Sequence, residues 1–412
     1  MALFGFLSGK SRQDRFAESV MTRLTQMGWP HPMEYDPARF TLALGGEAGS
    51  ISLGAIFQDW SSYPRSQQAA ALDQAIAFVF DLGPPPPFEE AMDQLIPVLR
   101  SRNVTEAMLC EGGDEPDEML ADAWRPFGDH LAILVAVDRP SSLMIADAKV
   151  LKGWGRSFNE VFEIAMRNLR AREAPVFERQ EGGFYMAASQ DRNDIARLLI
   201  PEDFASVGVH GRPIAIAAAR DRLLVVGEDE PKAVEAMAEF APMMLDHHSR
   251  PISYAPMILQ DGQWRAYQPP PELYAARALY PLQQAHDYEQ QLPLILGRLH
   301  RAGRPEEVAQ FSLIPTDDGV RSLALWIAPS CLLPRADLVV LRTGKTATLV
   351  RAWADVEAAC GLQPEPRTAS PYYVATGWPD ATAMEKIAAA PEPAWAKGKG
   401  IGVANGRLTM FG

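Results

Sequence analysis

The sequence predicts an α+β fold with mainly antiparallel sheets, and two observations lead to this prediction. Short stretches in which apolar and polar residues alternate lie in pairs, separated by turn residues, as β-hairpins require. Three of these pairs are each followed by a stretch with apolar residues at the i, i+3 and i+4 spacing of an amphipathic helix. A recurring strand–strand–helix order is typical of α+β proteins rather than of strictly alternating doubly wound sheets.

The three predicted units follow one another along the chain. The first unit has strands at 40–44 and 50–57 and a helix at 65–80. The second has strands at 131–137 and 143–151 and a helix at 157–172. The third has strands at 213–219 and 223–226 and a helix that starts near 231. The units are either a structural repeat or independent occurrences of one common pattern, because their sequences are not obviously alike.

Two proline-rich stretches, GPPPPF and YQPPPELY, divide the chain into segments, because such runs resist both helix and central strand. We therefore predict an N-terminal α+β segment at 1–88, a central α+β segment at 89–268 and a C-terminal α+β domain at 269–412. The C-terminal domain opens with a predicted helix at 272–301, and the Asp-Gly pair at 318–319 predicts a hairpin further on.

Composition and charge exclude several functional classes. The net charge is −13 and the isoelectric point is about 5.1, whereas binding to nucleic acids or anionic membranes depends on Lys and Arg. The three cysteines, Cys110, Cys331 and Cys360, form no CxxC pair, which excludes a zinc ribbon or redox motif. With no signal peptide and no apolar run of about 18 residues, the sequence predicts a cytoplasmic protein that binds neither nucleic acid nor membranes.

The stretch LVVLRTGKTATL, which contains Gly344, Lys345 and Thr346, resembles a phosphate-binding loop. Such a loop has the form G-x-x-x-x-G-K-[ST] between a strand and a helix, and both glycines allow backbone N–H groups to reach the phosphates. The first glycine position is occupied by Val339, inside the apolar run. We therefore predict a turn at 343–345 between two strands, and no nucleotide cofactor.

No other motif indicates catalysis, a metal or a cofactor. The stretch GKGIGVANG at 398–406 lies too close to the C-terminus for the helix that a dinucleotide fingerprint requires. The seven histidines show no HxxxH or HExxH spacing, no G-x-S-x-G elbow occurs, and the acidic run at 111–122 lacks the order of a calcium loop. The sequence thus predicts no catalytic residue, no metal site and no cofactor.

Two tryptophans occupy equivalent places and are candidate binding residues. Trp60 and Trp154 each lie between the second predicted strand of a unit and its helix. Ser157 and Glu160 have the spacing of a capping box, which predicts that the second of these helices begins there. Each tryptophan either contacts a ligand or partner, or packs the helix onto the sheet.

The stretch HLAILVAVDRPSSLMIADAKVLKGWGRSFNEVFEIAMRNLRAR resembles the central segment of the YtpQ-like bacterial proteins, a family of unknown function. Those proteins similarly have a hairpin, a linker with a tryptophan, and a helix with Asn-Leu-Arg, here Asn168-Leu169-Arg170. RLTQMGW to IFQDW resembles the family's opening helix and hairpin, and GGFYMAASQDRNDIARLLIPEDF to DRLLVVGE resembles its later part. The resemblance covers residues 12–268 and implies a cytoplasmic bacterial α+β protein, with no catalytic residue to carry over. The acidic run and the C-terminal region depart from the family pattern.

Asn168 and Arg170 are the remaining candidate binding residues. Both lie near the C-terminus of the predicted helix, where Arg complements the helix dipole and Asn can donate to a carbonyl that has no partner in the helix. The two residues therefore either stabilise this part of the chain or bind a ligand.

Three functions are consistent with these observations. We favour a non-enzymatic protein-binding or adaptor module that holds a protein partner, because the chain has repeated small units, nine tryptophans and no recognisable catalytic set. The second function is a hydrolase or transferase whose acid and base, carboxylates or His130 with Asp129, come together only on folding. The third is an immunity-type protein whose acidic surface masks a basic partner. No pattern indicates an oligomeric state.

Overall fold

A computed structural model gives the fold of the chain. It describes residues 11–411 except 47, 104, 106–122, 189–192, 248–251, 305, 317–318, 343–347, 366–367, 369, 394–399 and 405–406. The predicted acidic loop at 111–122 and the predicted turn at 343–345 therefore lie outside the described residues.

The chain divides into two compact units. The first comprises Met1–Pro97 and Leu134–Arg172, and the second comprises Val98–Ile133 and Glu173–Gly412. The predicted division into three segments at residues 88 and 268 stays a prediction.

The described helices range from one turn to 28 residues. The α-helices are α1 (Arg12–Gln26), α2 (Gly54–Ser62), α3 (Gln68–Ile76), α4 (Phe88–Ala91), α5 (Ala148–Trp154), α6 (Phe158–Ala171), α7 (Pro231–His247), α8 (Tyr274–Arg301), α9 (Trp353–Cys360) and α10 (Ala381–Ala389). Short 3₁₀ helices are Ala77–Asp81, Met92–Gln94, Asp194–Leu199 and Pro201–Ser206.

The described strands are short and numerous. They are β1 (Glu34–Asp36), β2 (Thr41–Ala43), β3 (Ser50–Ser52), β4 (Leu95–Ser101), β5 (Arg125–Phe127), β6 (Leu131–Asp138), β7 (Leu143–Ile145), β8 (Phe177–Arg179), β9 (Tyr185–Ala187), β10 (Pro213–Ala219), β11 (Arg222–Gly227), β12 (Met257–Gln260), β13 (Gln263–Ala266), β14 (Glu307–Val308), β15 (Gln310–Thr316), β16 (Gly319–Trp326), β17 (Cys331–Pro334), β18 (Leu338–Arg342), β19 (Thr348–Ala352), β20 (Gln363–Pro364), β21 (Tyr372–Ala375), β22 (Gly400–Ala404) and β23 (Arg407–Phe411).

These strands form mainly antiparallel sheets, which confirms the predicted α+β class. Four sheets have the orders β1-β2-β3, β13-β12-β10-β11-β9-β8, β14-β17-β21-β20 and β15-β16-β18-β19. Strands β22 and β23 form a separate pair, and β6 pairs with both β5 and β7. Among the strand pairs whose register is described, β14 with β17 and β16 with β18 are parallel.

The first unit has a core between its N-terminal helices and the β1-β2-β3 sheet. A capping box starts α1, because Ser11 Oγ accepts from the N–H of Asp14 and the Asp14 carboxylate accepts from the N–H of Ser11. Phe16, Val20 and Leu24 repeat at helical spacing along α1 and are buried in one cluster with residues of β2, β3, α2 and α3.

The first two predicted units differ from the structure at their second strands, which are shorter than predicted. Strand β3 ends at Ser52 and β7 at Ile145, and helices α2 and α5 occupy residues that we predicted to be strand. On α2, Ile56 and Trp60 are four residues apart and share a helix face that belongs to the core around Phe16. A short apolar run fits a buried helix as well as a strand, so its periodicity did not separate the two.

The third predicted strand–strand–helix unit is confirmed, and it lies in the second compact unit of the chain. Strands β10 and β11 pair antiparallel, α7 follows them, and the apolar side of α7 shares a core cluster with both strands. The predicted helix at 272–301 is confirmed as α8, and the predicted hairpin as β15 and β16, although its tip lies outside the described residues. Strands β18 and β19, which flank the sequence GKT, are an antiparallel pair, whereas a phosphate-binding loop would lead into a helix.

Candidate active site

The structure places Trp60 in the core of the first unit. Its ring centroid lies 4.8 Å from that of Phe16 and 6.1 Å from that of Phe57. Its Nε1 donates to the carbonyl of Gln68 at 3.1 Å. The side chain thus joins α2 to the start of α3, while its role in binding a ligand or partner stays a prediction.

Trp154 makes contacts of the same kind. It is the last residue of α5, its Nε1 donates to the carbonyl of Pro86 at 2.9 Å, and its ring centroid lies 5.7 Å from that of Phe88. The tryptophan therefore holds the proline-rich stretch before α4 in place. A binding role for Trp154 stays a prediction as well.

Asn168 and Arg170 differ in what they contact. Asn168 Nδ2 donates to the carbonyls of Met92 and Leu95 at 2.8 and 2.9 Å. The amide thus supplies hydrogen bonds to two backbone carbonyls at the point where a 3₁₀ helix is followed by β4. Arg170 lies in the last turn of α6 and is exposed. Of the four predicted binding residues, Arg170 is the exposed one, and none of the four lines the two cavities described below.

A different cluster of polar side chains lies in the second unit, along α8. Gln283, Asp287 and Gln291 are each at most 3% exposed, and their spacing of four residues puts them on one face of the helix. Gln283 Oε1 accepts from Ser253 Oγ at 2.9 Å and from the N–H of Tyr254 at 2.5 Å. These buried amides are bonded to protein groups, as burial of polar atoms requires.

His130 completes this cluster from the turn between β5 and β6. Its Nδ1 lies 2.8 Å from Asp287 Oδ2, while Asp287 Oδ1 accepts from Gln283 Nε2 at 2.7 Å. Because an ionised carboxylate only accepts, Nδ1 carries the ring proton and Nε2 keeps its lone pair in the neutral imidazole. The side chain of Asp287 is 4% exposed and that of His130 is 19% exposed, so the imidazole is partly open while its partner is enclosed.

His130 lines two cavities of the second unit. The Trp264 cavity measures about 200 Å³ and has a mainly apolar wall that includes Phe127, Leu131, Met257, Trp264 and Tyr280. The Arg335 cavity measures about 260 Å³ and is lined by Arg102, Asp129, His130, Gln284, Asp287, Tyr288, Arg335, Ser370 and Pro371. Asp129 lines both cavities, but the hydrogen bond of His130 goes to Asp287 rather than to its neighbour in sequence.

Helix α8 also holds the wall of the Arg335 cavity. The hydroxyl of Tyr288 accepts from the backbone N–H of Arg335 at 2.9 Å and donates to the carbonyl of Pro371 at 2.8 Å. Burial raises the pKa of Tyr288, which keeps the hydroxyl protonated and able to donate. Gln291 bonds to both the N–H and the carbonyl of Ser370, at 3.1 and 2.9 Å.

Sequence reasoning missed Asp287 and Arg335, although α8 carries a signal. Ala276, Leu279, Ile295 and Leu299 form a buried apolar stripe, and Gln283, Asp287 and Gln291 occupy the positions that continue it. Three polar residues in the core positions of an amphipathic helix indicate buried hydrogen bonds. Arg335 has no comparable signal, because its place in the lining of a cavity that His130 also lines depends on how distant segments fold.

Two further findings concern the described part of the chain. Within the described part of the chain, no group of three or more His, Cys, Asp and Glu side chains could hold a metal ion, and no helix is long and apolar enough to cross a membrane.

No protein-family model matches the chain, and no curated protein or solved structure matches it either. The chemistry of the site itself is therefore the basis for a function.

Proposed function

We propose that the chain is a hydrolase or transferase in which His130, held by Asp287, transfers the proton. The observation that carries the proposal is the 2.8 Å hydrogen bond between His130 Nδ1 and the enclosed Asp287, on an imidazole that lines two cavities. General acid–base catalysis by histidine requires a defined tautomer beside a space that a substrate can enter. A carboxylate on the far nitrogen supplies that tautomer and stabilises the imidazolium that forms.

The proposed step uses an oxygen nucleophile from outside the chain. Nε2 takes a proton from water or a substrate hydroxyl as that oxygen attacks, and returns the proton to the leaving group when its bond breaks. Ser253 is unsuited to the role of nucleophile, because its residue is 2% exposed and its Oγ donates to Gln283. No Ser, Thr or Cys side chain in the described part of the chain bonds to His130.

Incubation of the purified chain with a small-molecule extract of its host, followed by mass spectrometry, tests this proposal. The wild type is expected to deplete a compound and accumulate its product. Asp287→Asn is expected to slow that turnover by about 10⁴-fold, the loss found when a serine-protease aspartate is so changed, because the amide would donate to Nδ1 and move the ring proton to Nε2. His130→Gln is expected to abolish the turnover.

His300→Gln is the matched control, because His300 is an exposed residue of the same helix as Asp287 and lines neither cavity. It should turn over the compound at the wild-type rate. The proposal is wrong if the wild type depletes nothing, or if Asp287→Asn and the wild type act at the same rate.

A protein-binding or adaptor role is a second proposal, and an exposed tryptophan favours it. Trp378 is 45% exposed and stacks on the buried Trp326 at 6.3 Å between ring centroids, and Ile327 is also exposed. Tryptophans anchor many protein interfaces. If native mass spectrometry of the chain from its own host finds a partner of defined stoichiometry, Trp378→Ala should release it. Tyr63→Ala, which removes another exposed aromatic ring, should not.

The resemblance to the YtpQ-like family, with its bacterial and cytoplasmic setting, is also a proposal. The resemblance implies the order hairpin, tryptophan and Asn-Leu-Arg triplet. The chain has these features in that order, as the hairpin of β6 and β7, the tryptophan at the end of α5, and Asn168 to Arg170 at the end of α6. An experimental structure of a YtpQ-like protein tests it. A different order of strands and helices over the stretch equivalent to residues 12–268 would refute it.

A further inference from the structure

We propose that the Trp264 cavity binds the uncharged aromatic ring of a small substrate beside His130. The inference rests on the proposed function, since it names the class of substrate for the same site. Three properties of the cavity lead to it: its wall is built from apolar and aromatic side chains, the polar ends of its aromatic side chains already have partners, and its volume is close to that of one ring.

One part of the wall is a face of the sheet that contains β12 and β13. Met257 pairs with Ala266, and Trp264 lies two residues before Ala266, so the three side chains stand on the same face of the sheet. Ile258 stands on the opposite face, where it is buried in one core cluster with α7. Arg265 pairs with Ile258, so its side chain leaves the sheet from that opposite face and the wall stays apolar.

The rest of the wall comes from the turn between β5 and β6 and from α8. A Cβ atom on Gly128, in that turn, would lie 3.8 Å from Met257 Sδ, so the turn that carries His130 packs against the sheet face. The ring centroid of Tyr280 lies 6.4 Å from that of His130. Burial, and after it the charge of Asp129, raises the pKa of Tyr280, so its hydroxyl stays protonated. These contacts bring the imidazole, the thioether and the phenol ring to the same space.

The polar ends of the aromatic side chains already have partners. Trp264 Nε1 donates to the carbonyl of Leu198 at 2.9 Å, and the indole ring lies 4.8 Å from the ring of Phe204. The Tyr280 hydroxyl donates to the carbonyl of Pro256 at 3.1 Å. These bonds hold both rings in place, so the rings offer a ligand carbon surface rather than hydrogen bonds. Ring–ring and sulfur–ring contacts are favourable, so such a wall favours an aromatic ligand over an aliphatic one.

His130 supplies the polar contact beside this wall. Its Nδ1 bonds to Asp287 and its Nε2 keeps a lone pair, whereas Ser253 Oγ donates to Gln283 at 2.9 Å. A ring on the apolar wall therefore leaves its polar substituent to the imidazole, which transfers the proton in the proposed function. The charge of Asp129 opposes an anionic substituent, and burial against an apolar wall disfavours any charge, so the ring is uncharged.

The volume of the cavity limits the ligand to one ring. The cavity measures about 200 Å³, and a dry apolar cavity of about 150 Å³ is enough to bind benzene. A phenyl ring with one short substituent therefore fits, whereas a nucleotide or a peptide does not.

Saturation-transfer NMR of the full chain, titrated with benzyl alcohol and, separately, with cyclohexylmethanol, tests the inference. The two probes match in their heavy atoms and their hydroxyl group and differ in the aromaticity of the ring. Titration up to about 20 mM covers the millimolar affinities expected of ligands of this size. We expect benzyl alcohol to bind about threefold to tenfold more tightly than cyclohexylmethanol, which is the gain that aromatic contacts supply.

Three variants locate the bound ring. Ala266→Leu adds carbons to the wall and should weaken the binding of benzyl alcohol by about tenfold or more, and the fold should tolerate it because Ala266 is exposed. Ala43→Leu is the matched control and should bind as the wild type does, because Ala43 is also an exposed last residue of a strand but lines neither cavity. Tyr280→Leu keeps an apolar wall without the phenol ring, and should remove most of the preference for benzyl alcohol. The carbonyl of Pro256 keeps the hydrogen bond from the N–H of Tyr267 in this variant.

The inference is overturned if neither alcohol binds, if cyclohexylmethanol binds as tightly as benzyl alcohol, or if Ala266→Leu binds benzyl alcohol as the wild type does. His130→Gln keeps the apolar wall and should still bind the ring. Because binding is measured without turnover, the two proposals can fail separately. Turnover that depends on His130 without binding of the ring would remove only the inference, whereas binding of the ring by a chain that turns over nothing would remove the proposed function and leave the binding site.

Discussion

Replacement of Gln283 by methionine tests whether the buried hydrogen bonds of α8 hold the second unit together. Methionine has nearly the same length and volume as glutamine, so Gln283→Met changes the packing little. It removes the bonds of Gln283 to Ser253, Tyr254 and Asp287, which measure 2.9, 2.5 and 2.7 Å. Gln283 is 0% exposed, so water does not replace these bonds.

The expected effect follows from the groups left behind. A buried donor or acceptor that loses its partner costs about 1–3 kcal/mol, and more when the group is charged. The N–H of Tyr254 and the carboxylate of Asp287 both lose a bond, and the Ser253 hydroxyl loses its acceptor. We therefore expect Gln283→Met to lower the free energy of unfolding by about 3–5 kcal/mol, a large part of the 5–15 kcal/mol typical of a domain.

Urea unfolding followed by tryptophan fluorescence measures this change through the midpoint and slope of the transition. Gln284→Met is the matched control on the same helix, since Gln284 is only half-buried and is expected to change stability by at most about 0.5 kcal/mol. If the free energy of unfolding of Gln283→Met lies within about 1 kcal/mol of the wild-type value, the buried hydrogen bonds stabilise the unit less than we infer.

Three further predictions concern individual side chains. Asn168→Leu removes two bonds to the carbonyls of Met92 and Leu95 and should lower the free energy of unfolding by about 2–4 kcal/mol, which urea unfolding would measure. Ser157→Ala removes the cap of α6 and should cost about 1 kcal/mol, which Ser157→Thr should largely restore in the same assay. Burial lowers the pKa of His286 below its ordinary value of 6.5, so the unfolded chain binds this proton more readily than the folded chain. The stability that neutral His286 contributes is thus present above pH 6.5 and is lost below it, and the melting temperature of the wild type should fall more than that of His286→Gln between about pH 7 and pH 5.

Much of the fold was predictable because its signals are local. The hairpin of β10 and β11 with α7, the long helix α8, and the start of α6 at Ser157 all follow from patterns within about 20 residues. The second strands of the first two units were predicted too long, because a short apolar run such as the one that contains Ile56 fits a helical face and a strand equally well. Packing against Phe16 favours the helix there.

The candidate site was hardly predictable, because its residues are far apart in the chain. His130 and Asp129 were considered as an acid–base pair from their adjacency, and both residues line the two cavities. The bond of His130 goes to Asp287, which lies 157 residues further along the chain. Arg335 also lines the Arg335 cavity, and its backbone N–H donates to the hydroxyl of Tyr288 at a separation of 47 residues.

The order of residues was thus enough to specify the class of fold, the longer helices, the hairpins with clear turns and the absence of a nucleotide motif. Periodicity, capping and turn chemistry act between near neighbours, so they can be read without knowing which segments meet. Only the tertiary structure determined that His130, Ser253 and Ser370 form hydrogen bonds with the buried polar face of α8. Such contacts depend on which distant segments are brought together, and only the complete packing of the second unit specifies them.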